Sequence, residues 1–197
     1  MRTITIELFK FEELSKEAQA VAIENNRGVG TEYQDWYEDV YEYFKENTEE
    51  FEIDKIYFSG FYSQGDGAMF EYSDISDELF CEAIDSLKIS DWKKRFLKIN
   101  CTIYARGKHS GRYYHEKYCD HVIEVENQFR SDYPNIEEFI DESEISIIEF
   151  IIKRYETLAR KLYKQLEEDY DSRITDKYIS ELIIANEWEF HANGKDA

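Results

Sequence analysis

The chain has one proline in 197 residues, so few of its loops are stiffened and no proline-rich linker divides it. Cysteine is almost as sparse. Cys81, Cys101 and Cys119 are odd in number, widely spaced and without a CxxC pair, which argues for reduced thiols over a disulfide framework. No stretch approaches the ~18 apolar residues of a membrane-spanning helix, and the opening MRTITIELFKF lacks the apolar centre of a signal peptide. The expectation is a cytoplasmic protein with no membrane partner. Positive charge is also short: 24 Lys and Arg stand against 44 Asp and Glu, a formal net charge of -20. Such a surface repels bare nucleic acid and anionic membranes, and attracts basic grooves of the kind that nucleic-acid-handling proteins carry. Acidity also serves plain solubility, and composition alone does not separate the two uses.

Catalytic signatures are missing as well. The chain has no GxxxxGK[ST], no GxGxxG after a strand, no HExxH, no GxSxG and no DxDxDG loop. Asp66 and Glu71 pose as an acid–base pair, but such pairs arise by chance among 44 acids. Cys119 and His121 point the same way on a strand, as a thiol and its base would, yet no third orienting group is identifiable. Turning the surrounding hairpin about Ser110 sets Cys101 opposite Cys119 with His121 on the same face. That is a strand repeat without a fourth ligand, not a zinc spacing, so no metal is expected. The protein is expected not to be an enzyme and to need no cofactor.

What the chain has in plenty is aromatic side chains, sixteen Tyr and thirteen Phe, within a hydrophobic share of 42% that can fill a core. The stretch Ile56–Tyr72, IYFSGFYSQGDGAMFEY, organises the reading. Two aromatic runs with strand alternation flank Ser63-Gln64-Gly65-Asp66-Gly67, so a β-hairpin turning at Gly65-Asp66-Gly67 is expected, with Gly60 at a bulge or a close backbone approach. Ser63, Gln64 and Asp66 form its polar tip. They read either as a ligand-contacting group or as turn residues placed there for backbone reasons.

Before the hairpin, Thr3–Phe9 alternates as a strand of the main sheet. Ser15 caps a helix whose inner stripe is Ala18, Val21 and Ala22. Glu32–Asn47 reads as a second helix with an aromatic seam (Tyr33, Trp36, Tyr37, Val40, Tyr41, Phe44) and an acidic back that includes Glu38, Glu42 and Glu46. After the hairpin, Ser73–Lys88 is helical with Ser76 as cap. A short helix from Ser90 buries Trp92, Phe96 and Leu97 and exposes Lys93, Lys94 and Arg95. Ile99–Arg106 and Arg112–Glu126 form a second hairpin. Pro134 marks a boundary, Ile136–Ile140 a short helix, Glu144–Tyr170 a long one, Arg173–Asn186 the last, and Trp188–Phe190 a closing strand. Strands in hairpins with helices between them predict one α+β domain over 1–197, an antiparallel sheet packed on several helices, with a helical subregion at 135–187 and a long C-terminal helix.

The segments FSGFYSQGDGAMFE at Phe58–Glu71, ITIELFKFEELSKEAQAVAIENNR near the start and ANEWEFHANGK at Ala185–Lys195 together resemble a family of small phage and prophage proteins, some of them labelled antitoxins. The most specific part is SQGDGA at Ser63–Ala68. The resemblance implies phage origin and a bacterial cytoplasm, and supplies no catalytic residues. Joined to the charge, it leads to the expectation of an acidic inhibitor of a host nucleic-acid-binding defence protein, a CRISPR effector or restriction enzyme. Such a protein would bind the host protein's basic surface and no nucleic acid directly, through faces such as Glu38, Glu42 and Glu46. The alternatives are a nucleotide or small-ligand module using Ser63, Gln64 and Asp66, and an antitoxin that masks a basic toxin.

Overall fold

In a computed structural model the protein is described over residues 6–32, 35–128 and 134–197. Backbone contacts divide it into two compact units, residues 41–165 and residues 1–40 with 166–197.

The unit 41–165 is built on a four-stranded antiparallel sheet in the order β2-β3-β4-β5. The strands are β2 (Phe51–Phe58), β3 (Ala68–Ile75), β4 (Cys101–His109) and β5 (Cys119–Asn127), and they arrive as two hairpins joined by α4 (Asp77–Ser86) and α5 (Asp91–Asn100). Ser76 caps α4, its Oγ accepting from the Leu79 amide at 3.2 Å. The stripe Leu79, Phe80, Ala83, Ile84 and Leu87 is buried as its spacing implies. The sheet packs on α6 (Pro134–Arg173), whose residues Ile147, Ile151, Tyr155, Leu158 and Leu162 recur every three or four positions and are all buried. Rings fill the interface. Tyr155 lies 4.5 Å from Phe70 and 5.8 Å from Tyr72 between centroids, and Phe51 lies 4.8 Å from Tyr72. Each such ring taken from water contributes about 1.5–3 kcal/mol.

The other unit holds a two-stranded antiparallel pair, β1 (Phe9–Lys10) with β6 (Glu189–Phe190). Its helices are α1 (Lys16–Asn25), the single turn α2 (Val29–Glu32) and α7 (Asp176–Ala185). Ser15 caps α1 as expected, its Oγ accepting from Ala18 N at 3.2 Å. Phe11, Leu14, Ala18, Ala22, Ile179, Ile183 and Phe190 form its core. Helix α3 spans Glu38–Glu46. The fold class is the α+β arrangement that the sequence implies, with antiparallel sheets and a long helix toward the C-terminus.

Several local expectations are corrected. The strand set at Thr3–Phe9 is two residues long, pairs with β6 and stands outside the main sheet; Thr3, Ile4 and Thr5 lie outside the described residues. The helix set at Glu32–Asn47 is interrupted by a turn at 35–37, and Tyr33 lies outside the described residues. Val21 and Trp92, expected inside, are exposed. The break set between Ile140 and Glu144 does not occur. Ser143 is accommodated in mid-helix by donating its hydroxyl to Phe139 O at 2.7 Å, and Glu144 accepts the Val125 amide of the edge strand β5 at 2.9 Å. The boundary residues Asp132 and Tyr133 lie outside the described residues. The second hairpin is in register Cys101↔Asn127 and His109↔Cys119, so Cys101 and Cys119 sit at opposite ends of it, about 26 Å apart at the usual strand rise. Its return strand starts at Cys119, not Arg112. A 3-10 turn at Glu116–Tyr118 precedes it and takes up the residues that the shorter turn had assigned to a strand.

Candidate functional site

Helix α3 is organised by Phe44, which is 1% exposed and packs its ring 5.6 Å from Phe70. With that side committed to the core, Glu38, Glu42 and Glu46 recur every fourth residue, and all three are exposed. None has an ion-pair partner among the described residues. Two like-charge contacts at four-residue spacing cost about 0.2–0.5 kcal/mol each. Glu46 also sits at the negative end of the helix dipole, where an acid is disfavoured. Packing does not require this row. Past the helix end, Glu46, Asn47, Glu49, Glu50, Ser76 and Glu78 line one shallow depression. Arg154 neutralises only Glu50 there, at 2.6 Å. An acidic strip next to an acidic hollow can receive cationic groups.

The Ser63–Asp66 tip is part of a nine-residue loop between β2 and β3, not a tight turn at Gly65-Asp66-Gly67. Asp66 Oδ2 accepts the Ser63 amide at 2.7 Å and the Asp66 amide donates to Ser63 O at 3.1 Å, so this carboxylate holds the loop's shape. Ser63 and Gln64 are exposed. Gly60 and Gly65 take left-handed backbone, and so does Tyr62 (φ 71), an uncommon place for an aromatic, with its side chain 73% exposed. Gly67 is not left-handed. A Cβ there would stand 2.9 Å from His115 Cα, so that glycine serves a close backbone approach.

Cys119 and His121 do come together, Sγ to Nδ1 at 3.9 Å, but not as an activated pair. The Tyr72 hydroxyl lies closer to that nitrogen, at 2.9 Å. Burial pushes the Cys119 thiol up to about 11 and His121 below its ordinary value. A thiol so placed stays protonated and is inert. Asp66 and Glu71 also serve different partners, since Glu71 accepts the His109 amide at 3.0 Å. Among the described residues no three His, Cys, Asp or Glu side chains converge to hold a metal ion.

One cluster escaped the sequence reading. Glu116, 8% exposed, sets one oxygen 2.7 Å from His115 Nδ1 and accepts from Arg160 Nε at 2.9 Å with the other. His115 Nδ1 thus lies between that carboxylate oxygen and the Lys117 amide, which is 3.5 Å away. Glu116 and His115 are neighbours in sequence, but Arg160 enters from α6, and no local spacing announces it.

Fold and site together define an α+β protein with an acidic helix row that has no ion-pair partner among the described residues. Residues 36–176 match the family model described as Domain of unknown function (DUF8835), and the chain belongs to that family. No curated protein and no solved structure matches it. Among the described residues no helix is long and apolar enough to cross a membrane.

Proposed function

We propose that this protein is a non-enzymatic acidic binding protein that occupies the basic surface of a partner that handles nucleic acid. In its specific form the reading is of a phage-encoded protein, active in the bacterial cytoplasm, that blocks a host defence protein such as a CRISPR effector or restriction enzyme. The observation that carries it is the row Glu38, Glu42 and Glu46, exposed, unpaired among the described residues and continued by the hollow of Glu46, Glu49, Glu50 and Glu78. Successive carboxylates in this row are about 6 Å apart along the helix axis at 1.5 Å per residue. A row of charges at that interval presents a basic groove with a phosphate-like series, and the net charge of -20 steers the encounter. The test is to use the protein as bait in a host lysate, identify the partner by mass spectrometry, and titrate DNA or RNA against the complex. Mutually exclusive binding supports the reading, and simultaneous binding of nucleic acid and this protein contradicts it.

A second reading, a nucleotide or small-ligand module, has one observation in its favour. Ser63 and Gln64 stand exposed beside Tyr62, whose left-handed backbone carries an outward ring suited to stacking on a flat base. A co-purifying small molecule, with activity abolished by Ser63 or Gln64 substitutions and not by Glu42 or Glu46 substitutions, would favour it over the first.

A further inference from the structure

Helix α5 carries the reverse of the charge on α3. Its ten residues hold Lys93, Lys94, Arg95 and Lys98 against one acid, Asp91. Helix α3 holds Glu38, Asp39, Glu42 and Glu46 against one base, Lys45. In a chain of net charge -20, such a concentration of bases on one short helix stands out from its surroundings. The exposed side of α5 is also apolar, although Trp92 touches the Phe139 ring at 6.1 Å between centroids. Leu97, fully buried, already anchors the helix to its core. Trp92, Arg95 and Ile99 fall three and four residues apart on a different side, with Trp92 60% and Ile99 65% exposed. Lys94 and Lys98 are tied down at 2.6 and 2.7 Å by the Asp85 carbonyl and carboxylate, and Lys93 lies 4.8 Å over the Phe139 ring. Arg95 has no ion-pair partner among the described residues. Tryptophan and arginine dominate the energetics of protein interfaces, and adjoining exposed apolar side chains mark interaction surfaces.

We infer that the Trp92–Arg95–Ile99 stripe is a docking surface for helix α3 of a second copy of this chain. Charge complementarity selects that occupant, and the dimensions agree. Trp92 to Ile99 spans about 10.5 Å and Glu38 to Glu46 about 12 Å at 1.5 Å per residue. Arg95 meets the carboxylates of Glu42 and Glu46 with its planar fork. Tyr43, 56% exposed on α3, supplies a ring for Trp92 and Ile99 to cover. The contact joins two different surfaces, so it is heterologous and repeats as a ring or an open chain instead of closing on itself. Its salt dependence is bell-shaped. At about 0.01 M the Debye length is about 30 Å and copies of charge -20 repel as wholes. Near 0.15 M it is about 8 Å, which removes that repulsion and leaves the short-range pairs. In about 1 M salt the pairs are screened as well. The same α3 row serves the proposed partner, so self-assembly and partner binding compete, but the mass of the protein alone reports on assembly.

Analytical ultracentrifugation at about 0.15 M salt, over a range of protein concentrations, tests this. One variant carries Glu42→Lys and Glu46→Lys, the other Trp92→Ser and Arg95→Glu. All four positions are exposed, so the first variant should melt as the parent does and the second, which gives up the Trp92–Phe139 ring contact, slightly below it. The parent's average mass is expected to rise with concentration, and each variant alone to associate at least about tenfold more weakly. An equimolar mixture of the two is expected to associate where each variant alone does not, because one keeps α5 intact and the other keeps α3. A parent that stays monomeric overturns the inference, as does a mixture that stays monomeric or an assembly that survives both variants. Binding of a labelled single-stranded oligonucleotide to a monomeric parent, lost with Trp92→Ser and Arg95→Glu, overturns it too and assigns the stripe to nucleic acid.

Discussion

Replacing Gly107 by alanine puts a methyl group where the Tyr72 ring already lies. Gly107 pairs directly with Tyr72 across β3 and β4. A Cβ built there stands 2.7 Å from Tyr72 Cδ1 and 2.8 Å from Cys119 Sγ, well inside the ~3.5–4.0 Å of ordinary carbon contact. Gly107 is not left-handed, so the test is of space and not of backbone strain. The ring has nowhere to go. Tyr72 is fully buried, Phe51 and Tyr155 hold it at 4.8 and 5.8 Å, and its hydroxyl sits 2.9 Å from His121 Nδ1. Overpacking of a filled core costs about 1–3 kcal/mol, and a site closed on two sides belongs near 3. At about 2–4 °C per kcal/mol for a chain of this size, the melting temperature should fall by roughly 6–12 °C. Thermal unfolding followed by circular dichroism measures it. In a Tyr72→Leu background the ring clash is gone and only Cys119 Sγ still crowds the methyl, so Gly107→Ala should cost less there than alone. An unchanged melting temperature, or the same fall in both backgrounds, would refute the assigned packing.

Tyr155→Phe removes a hydroxyl that donates to Phe70 O at 2.9 Å and accepts from Phe70 N at 3.3 Å. Urea unfolding should show a loss of about 1–3 kcal/mol from the backbone groups left unpaired, and a neutral result would contradict that bond. Gly67→Ala drives a methyl against His115 Cα and Tyr114 O at 2.9 and 3.1 Å, both backbone, so a loss of about 1–3 kcal/mol is expected in the same assay. Stability should also fall at both ends of the pH range. Burial depresses His121 below 6.5, so its neutral form is favoured in the fold, and that contribution is present above 6.5 and lost as pH falls through the folded value. Burial raises Cys119 from 9.0 to about 11 and raises Tyr72 and Tyr155, so their contributions are present below the ordinary values and lost as pH climbs through the raised ones. A His121→Gln variant should flatten the acid limb of a urea-midpoint profile and leave the alkaline limb in place.

Elements whose signals are local were legible in the sequence. Ser15 and Ser76 announce their helices because a side-chain oxygen three residues before a free amide is a local device. The stripe from Leu79 to Leu87 and that from Ile147 to Leu162 show their spacing directly. Pairing between distant segments was not legible. The second hairpin's register depends on a nine-residue connection that contains a 3-10 turn, and a shift of that connection moved Cys101 from Cys119 to Asn127. Trp92 follows a helical spacing compatible with burial, yet Leu97 takes the core-facing side and leaves it outside. At the site, the exposed row Glu38, Glu42 and Glu46 follows from Phe44 facing inward. The Glu116–Arg160 pair, closed over 44 residues, has no local trace.

The central claim is that the α3 row meets a basic surface. The most direct measurement takes the partner recovered from the host and follows its competition between nucleic acid and this protein. The parent is compared with Glu38→Lys, Glu42→Lys and Glu46→Lys combined, and with a control that reverses the exposed but scattered acids Glu82, Glu126 and Glu181. The account predicts that the row variant stays folded and loses at least about tenfold in inhibition and in association rate, with the rate falling as salt rises, while the control changes little. Equal losses in row variant and control, or full inhibition by the row variant, would contradict it.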